Sequence, residues 1–318
     1  MRRRVLLGAA FATPALAQSA WPLARPVRVI VPFPPGAAND AMGRLFAQKL
    51  QEKLGATAVV ENRPGGSALI GTRAVLEAAP DGYTFLASAL NHTILHLVLK
   101  DVGFDPQADF EPVARTGAAP QMLVMAANRP ERTLAAVVTS AKERPRDWTF
   151  AVPALGAPGH LATIAFNRRV GVDIEMTSYR GTAPALTDVV AGNVQLLFDA
   201  SFALLPAARD GRVRALGLAT AARSPVAPEV PTLAEAGLPG FEFGSWYGIW
   251  APKGTPAAIT ERANAMMREV MAEAEVADRL TRMSIEPVRE TIPEMRAFVV
   301  RSVAQSAELL RAVNWQPQ

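Results

Sequence analysis

An α/β fold with largely parallel sheets is predicted by three observations. Short β-branched runs alternate with helical repeats along nearly the whole chain, Pro/Gly turns separate them, and 318 residues suffice for two α/β domains, each with its own core. Half of the residues are hydrophobic and 19% are charged, the balance of an ordinary globular chain.

The first element is a leader. Residues 1–17, MRRRVLLGAAFATPALA, start with Arg2, Arg3 and Arg4, continue with an apolar run and end in Ala15-Leu16-Ala17, an A-x-A cleavage pattern. They read as a removable secretory signal, and the arginines also loosely match a twin-arginine signal. Removal takes three of the 33 basic residues and no acid, leaving 30 against 29 acidic residues and a net charge of +1 instead of +4. The sequence pI of about 9.7 is therefore mostly leader, and nucleic-acid binding loses its support. The chain has no cysteine, which excludes disulfides, thiolate catalysis and a Cys-ligated metal. No other stretch approaches the ~18–20 apolar residues of a membrane span, so the mature chain is expected to be soluble.

At 27–40, VRVIVPFPPGAAND, Val27, Val29 and Val31 alternate with Arg28 and Ile30 as a strand does, and Pro32, Pro34, Pro35 and Gly36 stop it. Met42, Leu45, Phe46 and Leu50 then recur at helical spacing. Asn39 or Asp40 can cap this helix, whose first amides and dipole attract phosphate or carboxylate. TAVVE at 57–61 is a second strand, running through NRPGG into a helix over 68–78. YTFLA at 83–87 is a third, with Ser88, Asn91, His92 and Thr93 at its carboxyl end, where ligands collect in open α/β sheets.

Apolar strands at 111–115 and 121–126 flank 116–120, a crossing between domains. A second α/β unit follows: helix 134–142, strand 148–152, turn 155–160 into helix 161–170, strand 174–179, turn 180–184 into helix 185–191, then strands 194–199 and 213–219. Pro225, Pro228 and Pro231 mark surface loop. SWYGIWA at 245–251 reads as the strand that returns to the first unit, and 259–272 and 293–313 as helices.

Four strand–turn–helix junctions stand out, at 34–40, 88–93, 155–160 and 180–184. Their shared small, amide-rich turns argue for a site, while simple chain reversal is the plain alternative for any one of them. Arg180 is a candidate carboxylate clamp or a surface arginine. Asp199 is a candidate acceptor for a ligand amino or hydroxyl group, or a cap on the segment beginning at Ser201. Trp246 and Tyr247 either floor a cleft or fill a core. GSALIGTR at 66–73 has the glycine spacing of a Walker loop without its lysine, and no G-x-G-x-x-G follows the first strand. His92 and His96 stand four apart without the glutamate of a zincin. GSWYG at 244–248 does not centre its serine as a nucleophile elbow does. No metal, no cofactor and no enzymatic activity are expected.

These residues resemble the Bug-type extracytoplasmic solute receptors of tripartite tricarboxylate transporters. The resemblance runs from about residue 21 to 315 and is carried by VRVIVPFPPGAAND, VVENRPGG, AAPDGYTFL, DPQADFEPVA, YRGTAPALTDVVAGNVQLLFD, RVRALGLAT, PEVPTLAEAGLPGFE and SWYGIWAPKGTP. It implies a type II periplasmic binding protein, two α/β lobes joined by crossing strands around a ligand cleft, with lobe 1 at 21–118 plus 250–318 and lobe 2 at 119–249. Hinge motion is expected at 116–121 and 245–251.

The resemblance further implies a monomeric periplasmic protein that captures a small organic carboxylate and delivers it to membrane permease subunits. In such receptors the loop matching Pro34, Gly36, Ala37, Ala38, Asn39 and Asp40 holds a carboxylate through amides and ordered water. Ser88, Asn91, His92, Leu155, Gly156, His160, Arg180, Gly181, Thr182 and Ala183 match the loops that complete the pocket, and Asp199 is kept as a further ligand candidate. The family usually reads PPGGGTD where this chain has Ala37, Ala38 and Asn39, and Ala157-Pro158-Gly159 offers no side-chain donor. Fewer hydroxyls point to a monocarboxylate or aromatic acid rather than citrate. The alternatives are a ligand-sensing receptor for a signalling kinase and a secreted hydrolase of small esters using a serine such as Ser88.

Overall fold

The computed structural model describes residues 21–318, and the leader predicted at 1–17 lies outside them. In chain order the first unit runs β1 (Val27–Val31), α1 (Ala38–Leu54), β2 (Ala58–Asn62), α2 (Leu69–Leu76), β3 (Thr84–Ala89), α3 (Leu90–Thr93), α4 (Leu95–Val98) and β4 (Phe110–Ala126). The second runs α5 (Leu134–Glu143), β5 (Thr149–Val152), α6 (Pro158–Val170), β6 (Glu175–Ser178), α7 (Thr182–Ala191), β7 (Leu196–Ala200), α8 (Ser201–Arg209) and β8 (Val213–Leu218). The chain then returns through β9 (Gly244–Pro252), α9 (Ala257–Val270), α10 (Ala274–Arg282), β10 (Glu286–Pro287) and α11 (Ile292–Ala312).

β1 lies between β2 and β3, parallel to both, with Val27, Val29, Ile30 and Val31 fully buried. Burial on both faces explains the nearly unbroken β-branched run. α1 lays Met42, Leu45, Phe46 and Leu50 on one face of this sheet and ends at Gly55, whose φ of 69° closes the helix in the left-handed region. The second unit repeats the arrangement, with β5 parallel to β6 and β7. Its core is a ring cluster in which Phe150 lies 5.6 Å from Phe166 and 5.9 Å from Phe198.

The centre differs from the largely parallel expectation. β9 is antiparallel to β3 and β4, and β4 is antiparallel to β7, β8 and β10. Two strands broken at 116–120 were expected, yet β4 is one strand of 17 residues. Gly117 and Pro120 weaken strand propensity locally, but pairing overrides it: residues 110–120 run along β9, while 121–126 sit between β7 and β8. Pro120 falls at the switch between the two sheets, where its missing N–H breaks no ladder.

The return crossing also falls elsewhere than predicted. Residues 245–251 belong to β9, paired along its length in the first sheet, so the second switch is at Phe243 and Gly244, not inside the strand. Phe243 bridges the two sheets, its carbonyl accepting from Gln121 N–H and its N–H donating to Ala219 O.

Replacing Phe150 by Ala should lower the unfolding free energy by about 3–5 kcal/mol in urea denaturation. A loss below about 1 kcal/mol would mean that the second core does not depend on this ring.

Candidate ligand-binding site between the lobes

The loop between β1 and α1 is shaped by one carboxylate. Asp40 Oδ2 accepts from Gly36 N–H at 3.0 Å and from Arg44 Nε at 2.9 Å, and Oδ1 accepts from Asn62 Nδ2 at 2.8 Å. Asn62 Nδ2 also donates to Phe33 O at 3.0 Å. Burial pushes the Asp40 carboxyl up, but the donors Arg44, Gly36 and Asn62 outweigh it and hold the group below its usual range. Asp40 therefore frames the loop, with both oxygens engaged by protein donors. Gly36 takes φ 87°, which an L side chain rarely adopts. The first N–H groups of α1 have no intrahelical acceptor, and the buried Asn39 Nδ2 beside them has no partner.

The second lobe presses against this loop. Gly181, at φ 125°, passes so close to Pro34 that a Cβ would stand 3.0 Å from Pro34 Cδ. Thr182, the first residue of α7, donates from Oγ1 to Asp199 Oδ2 at 2.6 Å, and Asp199 Oδ1 accepts from Ala200 N–H at 2.7 Å. Asp199 keeps a partly accessible surface but is otherwise surrounded by protein, and burial pushes its carboxyl up to about 6 against the pull of Thr182 and Ala200. Tyr247 on β9 lies near enough to feel this carboxylate. Burial pushes its phenol up, the nearby Ser245 hydroxyl opposes the rise, and the Asp199 charge adds to it.

Three further groups belong to this seam: Gln121 and Ser201, which sequence reasoning did not assign to the site, and Tyr247, which it left open as cleft floor or core. Gln121 pairs with Ala200 across β4 and β7, and its Oε1 is 3.5 Å from where a Cβ on Gly159 would sit. Ser201 opens α8. Tyr247 packs in one cluster with Ala38, Ala119 and Ala200. Gln121 Oε1, Ser201 Oγ and Tyr247 OH are all buried without a hydrogen-bond partner. The signal in the sequence was only the small residues around them, Ala118, Ala119, Ala200 and Gly248.

The other sequence-derived candidates are dispersed. Ala37, before the first turn of α1, and Ala38 stand at the loop, whereas Ala183 is exposed on α7. Arg180 is exposed at a crevice of about 30 Å³ shared with Phe33, Gly65 and Tyr179, and it makes no ion pair among the described residues. It sits at the lip, not beside Asp199. Leu155 N–H donates to Ser67 Oγ at 3.2 Å, joining the lobes where Ser67 and Ala68 both hold positive φ. Asn91 Nδ2 donates to Ser67 O at 3.3 Å.

Ser88 pairs with Gly248, and the strand pleat turns both away from the face that carries Ala87, Ala89 and Tyr247. Its Oγ has no hydrogen-bonded base.

Both histidines that the resemblance put in the pocket are packed. His92 lies 4.1 Å from the Trp250 ring, and burial lowers it to about 3. His160 lies 4.7 Å from Trp315, and burial lowers it to about 4. Its Nδ1 accepts from Gly156 N–H at 3.1 Å, so the proton rides on Nε2 and the ring shapes the loop. A cavity of about 640 Å³ beside Ala118, Pro120, Thr220 and Glu286 contains none of the candidates.

Asp199, raised from about 3.9 in the unfolded chain, costs stability as the unfolded state ionises first. The stability difference between the parent and Asp199→Asn should shift toward the variant by roughly 2–3 kcal/mol between pH 4 and pH 7, then stay level. Thermal unfolding across pH tests it; a constant difference would mean that Asp199 titrates normally.

Residues 42–315 match the model of the tripartite tricarboxylate transporter family receptor, TctC. The chain is 35% identical to protein BugT of Bordetella pertussis over 290 residues, 91% of this chain and 89% of BugT. Among solved structures, it is similar to R. palustris Rpa4515 with adipate, at 34% identity and a TM-score of 0.89 over 94% of this chain and 100% of the other. It is also similar to MatC from Rhodopseudomonas palustris with bound malate, at 30% identity and a TM-score of 0.84 over 90% and 99%. A two-lobed α/β molecule with polar groups buried at the seam agrees with these likenesses, and the chain belongs to the tripartite tricarboxylate transporter receptor family as a Bug-type solute receptor.

Proposed function

We propose that this receptor works in the periplasm as a monomer, captures a small organic carboxylate between its lobes and hands it to the membrane permease subunits of its transporter. The observation that carries this reading is the set of buried, unpartnered polar atoms at the seam: Asn39 Nδ2, Gln121 Oε1, Ser201 Oγ and Tyr247 OH. Unpaired buried polar groups are costly in a folded protein, so a polar ligand is the natural partner. The first turns of α1 and α7 add unpaired amides beside it. The adipate and malate held by two relatives of the same fold support a small carboxylate as the ligand class. The leader read at 1–17 supports export.

Binding and release follow from the two crossings. Closing the lobes about 118–121 and 243–244 brings Gly181 against Pro34 and Leu155 against Ser67, and opening separates them. Hydrogen bonds to a charged ligand contribute roughly 1.5–3 kcal/mol each, so a few of them offset the entropy of closure and support roughly micromolar affinity.

Calorimetry with adipate, malate, benzoate and citrate is expected to find at least one ligand in the micromolar range. Silence from all four, with no acid retained in native mass spectrometry of the purified protein, would overturn the reading. For a ligand so found, Asn39→Ala should weaken binding by about 10- to 100-fold, the loss of one charge-assisted bond, and Arg180→Ala by less than about threefold, since an exposed side chain at the lip loses little. The reverse order would move the carboxylate seat from the α1 loop to the lip.

A further inference from the structure

We propose that the inner end of this cleft selects against a second carboxylate and takes a ligand whose far end carries a hydrogen-bond donor, such as a hydroxy monocarboxylic acid. The inference rests on the carboxylate reading above and narrows its ligand class.

The argument is an inventory of donors and acceptors. At the α1 end, Asn39 Nδ2 and the first-turn amides are donors without acceptors, which suits one carboxylate. At the other end, Gln121 Oε1 is buried without a partner, the first-turn amides of α7 are donors, and Asp199 has two oxygens that together receive only Thr182 Oγ1–H and Ala200 N–H. Ser201 Oγ and Tyr247 OH, both buried and unpartnered, can serve either way. A second carboxylate would set its charge beside the Asp199 carboxylate, whereas a hydroxyl would donate to an Asp199 oxygen that receives only one protein donor.

Charge points the same way. Among the described residues Tyr247 on β9 is the titratable group that couples to Asp199, and Arg180 in the lead to α7 is turned away to the exposed lip. Asp40 on α1 is committed to Arg44, Gly36 and Asn62. β4 and α8 contribute the uncharged Gln121 and Ser201. No ion pair among the described residues involves Asp199, so no paired cation offsets the repulsion between its carboxylate and a second one on the ligand. Because burial moves Asp199 up to about 6, it is ionised at pH 8 and mostly protonated at pH 5. Protonated, it becomes a donor and the exclusion relaxes.

The test uses matched pairs of probes, adipate with 6-hydroxyhexanoate and terephthalate with 4-hydroxybenzoate, titrated calorimetrically into the wild-type protein at pH 8 and pH 5. In any pair that binds, the hydroxy acid should be at least about tenfold tighter than the diacid at pH 8, because like charges meet in the diacid complex. The ratio should shrink at pH 5. In Asp199→Asn at pH 8 the preference should collapse. A diacid that binds as tightly as its hydroxy partner at pH 8 overturns this inference and leaves the carboxylate reading standing. If neither member of either pair binds while malate, benzoate or citrate does, the inference falls and the carboxylate reading stands; if none of these acids binds and none is retained, both fall. Should the variant fail to fold, the wild-type ratio at pH 8 decides alone.

Discussion

β4 has to satisfy hydrogen bonds on both edges while passing from one sheet into another, and the two-lobed arrangement depends on it. Its first part is held by β9 and β10, its last six residues by β7 and β8. The bulges between Pro112 and Ala114 and between Arg115 and Gly117 absorb register changes along the way. Side chains fasten the strand at the same place: Arg115 binds Glu290 and lies over the Phe298 ring, and Asn264 Nδ2 donates to Val113 O at 2.8 Å. The strand is thus anchored in the first sheet and sandwiched in the second, passing between them at Pro120 as the returning chain does at Phe243.

The site inherits its character from that geometry. Parallel strands on each side of the antiparallel centre end at the seam, and α1 and α7 begin there, so amides and small residues converge with no buried cation among the described residues. Asp40 sacrifices its charge to the loop, and Asp199 remains the one carboxylate facing the interior of the seam. The structure thus separates two acids that look alike in sequence: one is surrounded by donors and held ionised, the other is surrounded by protein and pushed toward its neutral form.

Much of the layer order was legible. Period-2 valine runs, Pro/Gly turns and helical spacing locate β1, β3, β5 and β7 and most of the long helices to within a few residues. α8 was harder to read because Pro206 sits inside it, and α10 because its strongly amphipathic face is short and follows a surface stretch. The histidines looked functional because polar residues at a strand end attract that reading. Contacts with Trp250 and Trp315, 158 and 155 residues away in sequence, pack them and cannot be inferred from local spacing.

Sequence alone determined the family, the alternation of strands and helices, the loop that begins at Pro32 and the absence of thiol chemistry, because each is written in local composition or in an ordered set of motifs. Tertiary structure decided that β4 is continuous, that β9 belongs wholly to the first sheet, that Ser88 and Tyr247 point to opposite faces, and that Gln121, Ser201 and Tyr247 share a buried seam with Asp199. The reason is physical. Strand pairing and burial are set by partners distant in the chain, and a residue's donor or acceptor becomes functional only when the fold removes every other partner it might have had.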